Sequence, residues 1–310
     1  MAEILLSGVS QGLIWAILAL GVFVSYRILD VADLSCEGSI TLGASVAAML
    51  IWKGINPVLS VILAFLTGCV AGIMTGLLHT KLKIPAILSG ILTMISLYSI
   101  NIHIMSLASG VSGTANLSLL KYISGTLYSG FASMLHLKKS IGAMIIGVLI
   151  CVVVMLAMYW FFGTEIGSAL RATGNNEKMC RAQGINTDLT KIIGLAISNG
   201  LIATSGALLC QFQGYSDVNM GVGAIVIGLA SIIIGEVIFA KVKNFFLILT
   251  GIVVGSVVYR IVVALVIYSG MPSTDLKLMT AVVVIVALCI PQIRSAVSGL
   301  FKKLFGKAGK

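Results

Sequence analysis

Charge is what this sequence lacks most. Only 10% of its 310 residues are Asp, Glu, Lys or Arg, against about 25% in an ordinary soluble domain. A soluble core of this size needs a charged shell, and the residues to build one are missing. Proline is scarce (4 residues) while glycine is abundant (34), a balance suited to closely packed transmembrane helices. Cysteine offers little: Cys36, Cys69, Cys151, Cys180, Cys210 and Cys289 are scattered, with no CxxC and no Cys/His cluster, which indicates neither a disulfide framework nor a metal site. His79, His103 and His136 are far apart and read as interfacial or packed side chains. No G-x-x-x-x-G-K-[ST] phosphate loop, HExxH or pair of intramembrane aspartates occurs, so neither an intramembrane enzyme of those kinds nor a chain with that nucleotide site of its own is indicated.

What is present is apolar surface in long runs. Hydrophobic residues make up 59% of the chain. The runs are continuous, whereas barrel strands of about ten residues alternate apolar and polar. The expected fold is an all-α polytopic membrane protein, one transmembrane domain over 1–310. A spanning helix takes about 20 residues. Candidates are 3–25, 36–52, 58–79, 85–107, 140–162, 190–211, 221–240, 244–268 and 275–292, about nine, with a range of eight to ten. The first has no basic leader and no small-x-small cleavage site, so it reads as a retained helix. The second and seventh are expected to be broken or re-entrant.

Basic residues set the orientation. With the N-terminus outside, the inner side holds 14 of the 20 basic residues: Arg27, Lys81, Lys83, Arg171, Lys178, Arg181, Lys191, Lys241, Lys243, Arg294, Lys302, Lys303, Lys307 and Lys310. The outer side holds Lys53, Lys121, Lys138, Lys139 and Lys277, and Arg260 lies within a span. The net charge of +10 is thereby assigned to anionic inner-leaflet lipid and not to nucleic acid. The tail 293–310 reads either as an amphipathic surface helix, with Leu300, Phe301, Leu304 and Phe305 on one face, or as a frayed basic end.

The chain echoes itself at an offset near 187. Val9 to Ile14 resembles Ile197 to Ile202, and Gly38 and Gly43 line up with Gly223 and Gly228. Two repeat-like halves, about 3–107 and 190–292, would run in opposite senses, as in many transporters, with a pathway at their interface near broken helices. The candidate breaks are Asp33 to Ser45 and Asp217 to Gly228. Candidate pathway residues are Gln11, Glu37, Asn199, Gln213, Ser231 and Glu236, with Gln211, Asn101, His103 and Arg260 completing the intramembrane polar set. A helix–helix hydrogen bond or headgroup contact is the alternative for each.

One substantial polar segment interrupts the apolar runs, at 163–189, extending to Lys191. Thr164 is placed to cap a helix through Arg171 to Thr173, and Gly174 suits a left-handed terminating position. Asn175 is placed to cap a second short helix that Gly184 ends. Ile166, Ala169, Leu170 and Thr173 share a face at helical spacing. A connection usually takes two to eight residues, so a capped insert of this length reads as a docking element, with a substrate lid as competitor.

The run Leu170-Arg171-Ala172-Thr173-Gly174-Asn175-Asn176, followed by Ala182-Gln183-Gly184-Ile185-Asn186, resembles the coupling segment of permeases of the branched-chain amino acid and ribose type of ABC importer. The similarity extends over nearly the whole chain. His79 to Pro85 and Gly228 to Glu236 resemble a subgroup linked to tryptophan or tyrosine uptake. The resemblance implies a type II-like importer fold, in which Ile166, Leu170 to Asn176 and Gly184 to Asn186 form the ATPase-coupling element. It also implies a second permease copy, two ATPase subunits carrying ATP and Mg, an extracytoplasmic binding protein docking near 108–139, and the plasma membrane of a bacterium. No cofactor is expected on this chain. An ion-coupled secondary transporter, with Glu37 or Glu236 as coupling carboxylate, is the competing reading.

Overall fold

A computed structural model describes residues 2–120, 122, 126–134, 139–239 and 244–268, with isolated positions between 278 and 289. Its helices are α1 (Ala2–Val22), α2 (Cys36–Trp52), α3 (Pro57–Thr80), α4 (Ala86–Ser109), α5 (Leu127–Met134), α6 (Lys139–Gly163), α7 (Glu165–Asn175), α8 (Glu177–Ala182), α9 (Thr187–Gln213), α10 (Ala224–Ile238) and α11 (Phe245–Tyr268). Two short strands, β1 (Asn116–Ser118) and β2 (Tyr215–Asp217), pair antiparallel with Asn116 opposite Asp217. The chain is a polytopic helical membrane protein.

Among the described residues six helices are long and apolar enough to cross a bilayer: α1 with its extension, α3, α4, α6, α9 and α11. Eight of the expected spans coincide with helices. The ninth, 275–292, lies outside the described residues except at isolated positions, and so do the tail 293–310, His136, Lys241 and Lys243. α1 does not stop at residue 25 but runs on through a π-helical turn, Phe23–Ile28. α2 and α10 have 17 and 15 residues. At 1.5 Å per residue they reach about 26 and 23 Å, short of the roughly 30 Å hydrocarbon layer.

The interruptions sit beside the expected positions. α2 is continuous from Cys36 onward, and the irregular stretch precedes it at 29–35. The second irregular stretch, 214–223, precedes α10. The order long helix, irregular stretch, short helix, long helix thus occurs twice, as α1 to α3 and as α9 to α11.

α1 and α9 form the centre. The apolar window of α9 is 83% buried, against 28% for α4. Hydrophobic burial cannot drive helices together in lipid, so close packing must. Glycine supplies it. Gly68, Gly72 and Gly76 of α3, spaced by four, lie against the backbone of α9. Gly43 of α2 meets the Ala203 carbonyl and Gly206 of α9 meets the Ile40 carbonyl, a reciprocal contact. Gly251 and Gly255 of α11 pack on Gly235 and Ser231 of α10 in the same way.

These contacts leave no room for a side chain. A Cβ at Gly72 would sit 2.7 Å from Ala196 Cα and closer still to the Leu195 carbonyl. Gly72→Leu is expected to lower the stability of the solubilised protein by about 2 kcal/mol or more, read as a depressed thermal midpoint. Gly163→Ala, where a Cβ meets nothing within 4 Å, should leave the midpoint unchanged.

Candidate translocation site and coupling segment

The two short helices begin in a common region near mid-depth and run to opposite ends. α2 starts beside Asn199, near the middle of α9, and ends near the β1–β2 ribbon. α10 starts beside Glu37 and ends where Glu236 meets Arg27, 2.9 Å apart. Backbone N–H groups at a helix start have no intrahelical acceptor, and lipid offers none. The chain places a carboxylate acceptor on the backbone just before each start. Asp33 accepts from the backbone N–H and hydroxyl of Ser35, at 2.8 and 2.6 Å. Asn199 donates to the other Asp33 oxygen at 2.7 Å and accepts from the hydroxyls of Ser35 and Ser39. Asp33 and Asn199 are buried. At the second helix start, a Glu37 carboxylate oxygen accepts the Gly223 N–H at 2.9 Å. Gly223 is in the left-handed region, φ +85, which glycine adopts at no steric cost.

A cavity of about 420 Å³ opens beside this junction, between α2, α4 and the stretch leading into α10. Glu37, Gly38, Thr41, Met94, Ile95, Tyr98, Ser99, Asn101, Val218, Asn219 and Val222 line it. Asn101 holds α4 to α2 by donating to the Gly38 carbonyl at 3.3 Å.

Of the expected pathway residues, only Glu37 and Asn199 meet here. Gln11 lies on α1 next to Gly12, which packs on Val257 of α11. Gln213 is the last residue of α9. Ser231 donates to its own helix at Ile227 while its backbone meets Gly255. Glu236 is paired with Arg27 at the far end of α10. Gln211 ties α9 to Leu127, Pro57 and Ser60, and Arg260 stacks on Trp15 with 4.2 Å to the ring centroid. The junction residues missing from the expected set are Asp33, Ser35 and Ser39. Their signal in the sequence is the Asp-x-Ser step just before an apolar helix.

The polar segment folds as two capped helices. Thr164 accepts from the Gly167 N–H at 3.3 Å, Asn176 from Met179 at 3.0 Å and Asn186 from Leu189 at 3.1 Å. Two expectations are corrected. Asn175 closes α7, and its neighbour Asn176 is the cap of α8. Gly174 lies within α7 at ordinary helical φ, and its smallness serves a contact with the Ile28 carbonyl and Leu29. Gly184 does end α8 in the left-handed region, φ +84. Leu170 and Thr173 face inward while Ile166 points out, 52% exposed. Arg171 turns back onto its own protein, donating to the Phe162 carbonyl at 2.8 Å and lying over the Phe245 ring. Ala172 is half-buried, and Ile185 donates its N–H to Cys180 beyond α8.

An ionic cluster holds α8 to the start of α9. Glu177 accepts from Lys191 at 2.8 Å and from Arg181 at 2.9 Å, and Arg181 also donates to Asp188 at 3.0 Å. The Lys191 ammonium hydrogen-bonded to it, aided by Arg181 and Thr187, holds the Glu177 carboxyl below its usual range, against a smaller opposing effect of burial. Arg27, Lys81, Arg171, Lys178, Arg181 and Lys191 therefore gather at one end of the bundle, the end that the positive-inside rule makes cytoplasmic.

The family profile described as branched-chain amino acid transport system, permease component, matches residues 4–288. The chain is 43% identical over 303 residues to a tyrosine transport system permease protein of Clostridioides difficile, covering 98% of this chain and 96% of that one. It is 31% identical over 289 residues to an uncharacterised protein of Rickettsia prowazekii, covering 92% and 97%. At 30% identity over 205 residues, covering 64% of this chain and 53% of the other, it resembles the autoinducer 2 import system permease protein LsrC of Yersinia pseudotuberculosis. No solved structure matches.

Asn199→Leu strands the Asp33 carboxylate and the Ser39 hydroxyl in the interior. The expected cost is about 2 to 3 kcal/mol, read by thermal unfolding of the solubilised protein. The Glu177 cluster makes a second expectation. Its folded pKa is depressed, so its stabilisation is fully present above the unfolded value, about 4.3, and is lost as pH falls below that. Amide exchange in 177–191 should therefore accelerate as pH drops through the carboxylate range, after correction for intrinsic rates, and Lys191→Met should flatten that response.

Proposed function

The chain belongs to the permease family of branched-chain amino acid transport systems, and from that premise we propose that it is the membrane subunit of an ATP-driven importer for an aromatic amino acid. It is a multi-pass plasma-membrane permease. Tyrosine is the first substrate to test, because the relative matched end to end is named for tyrosine transport. The membership also sets aside the ion-coupled reading.

In this proposal two copies of the chain assemble, each with an ATPase subunit at the basic end. ATP and Mg stay on those subunits, consistent with the missing phosphate loop. A binding protein delivers substrate at the opposite end, where the β1–β2 ribbon presents exposed Leu120 and Tyr215 beside Val111. The halves 3–107 and 190–292 act as an inverted repeat around the junction of α2 and α10, which suits alternating access.

The observation that carries this reading is the seat of α7. Its Gly174 lies on the Ile28 carbonyl, and Leu29 also touches Gly194 of α9. Ile28 ends the π-helical turn and leads through 29–35 to the Asp33–Asn199 network and Glu37. A rigid push on α7 therefore has a continuous route to the candidate translocation site. The outward side of the segment carries exposed Ile166, Met179 and Leu189, apolar groups fit for a groove in an ATPase.

Reconstituted with its ATPase and binding protein, the complex should import tyrosine only when ATP is hydrolysed. Uptake driven by an ion gradient without ATP would overturn the proposal. Ile166→Glu should weaken co-purification of the ATPase subunits by about tenfold or more, because a charge would be carried into an apolar contact, while the permease stays monodisperse.

A further inference from the structure

We infer that the cavity beside Glu37 is a station for the ammonium group of the substrate, with Glu37 as its recognition residue. This rests on the amino acid importer reading above and adds to it a chemical selectivity within the membrane.

Among the described residues Glu37 is the one formally charged side chain lining the cavity, and no cation lines it. The other intramembrane-side carboxylate of the α10 path, Glu236, has Arg27 as its partner. Asp33 has its two oxygens committed to Ser35 and Asn199. Glu37 has one oxygen fixed by the Gly223 N–H, and its second oxygen has no hydrogen-bond or ionic partner among the described residues. A carboxylate within a span is costly and marks pathways more often than packing. Accepting one N–H needs only a carbonyl oxygen, which a glutamine would supply. Capping therefore accounts for an acceptor at this position, while the charge remains to be explained.

The rest of the cavity fits the remainder of a zwitterion. Tyr98, Ser99 and Asn219 keep side-chain donors uncommitted among the described residues, suited to a carboxylate. Met94, Ile95 and Val222 supply an apolar wall. A volume of about 420 Å³ falls within the usual range of small-molecule sites. A single charged contact suits a transit station, where binding must permit both arrival and release.

The test uses the intact complex of permease, ATPase and binding protein in liposomes. Glu37→Gln keeps the acceptor for Gly223 and removes the charge. Tyrosine uptake is expected to fall about tenfold or more, the scale of one charge-assisted hydrogen bond. ATP hydrolysis stimulated by the substrate-free binding protein should persist. Wild-type uptake in E37Q, or loss of both uptake and that stimulation, would overturn the inference; the second outcome would assign Glu37 to the fold.

A labelling measurement decides independently of transport. Val222→Cys places a thiol in the cavity wall. With the parent's own cysteines subtracted, a cationic methanethiosulfonate should react several-fold faster than an anionic one, and E37Q should bring the ratio close to one. A ratio near one with Glu37 present overturns the inference. Should the wild-type complex import no amino acid, the importer reading fails, and the labelling ratio still decides whether Glu37 offers its charge to the cavity.

Discussion

The bilayer gives a broken helix nothing to bond with, and that constraint organises the interior of this protein. Two helices begin near mid-depth, so unpaired N–H groups lie where water is absent. Asp33 accepts the Ser35 N–H just before one start, within a network with Ser39 and Asn199, and Glu37 accepts the Gly223 N–H just before the other. α9 holds Asn199 in place through its glycine and alanine contacts with α2 and α3. The dense centre and the polar junction are thus two parts of one solution. Tight packing keeps the network dry, and the network permits the interruption that makes a cavity.

The polar segment 163–191 follows different rules, because much of its surface is polar and exposed. Its helices are held by ordinary capping side chains and by a charge cluster whose members range from 14% exposed (Lys191) to 58% (Arg181). Each exposed pair contributes little. The segment owes its position to buried Leu170 and Thr173 and to the Gly174 contact. Arg171 contributes by bracing α7 to the end of α6.

Much of this was legible in the sequence. Apolar length located eight helices to within a few residues, because each leaves a strong, nearly continuous apolar signal of 15 or more residues. Capping chemistry located α7 and α8, although Asn175 and Asn176 are both good caps and local chemistry could not choose between them. Gly174 was visible as a required glycine, but its reason was tertiary: a backbone from residue 28 lies against it. The expected pathway residues do not all lie together. Glu37 and Asn199 converge, while Gln11, Gln213, Ser231 and Glu236 lie elsewhere, because polarity along a span does not say which way a side chain faces. The β1–β2 ribbon left no trace, since three-residue strands carry too little alternation to register.

The glycine contacts have a mechanical consequence. Where Gly174 meets the Ile28 carbonyl, and where Gly43 and Gly206 meet α2 and α9 across one another, backbone lies on backbone. A contact made by long side chains has rotamers that absorb a small displacement. These contacts have no such slack, so a displacement of one backbone is met directly by the other, as in a gear train with little backlash.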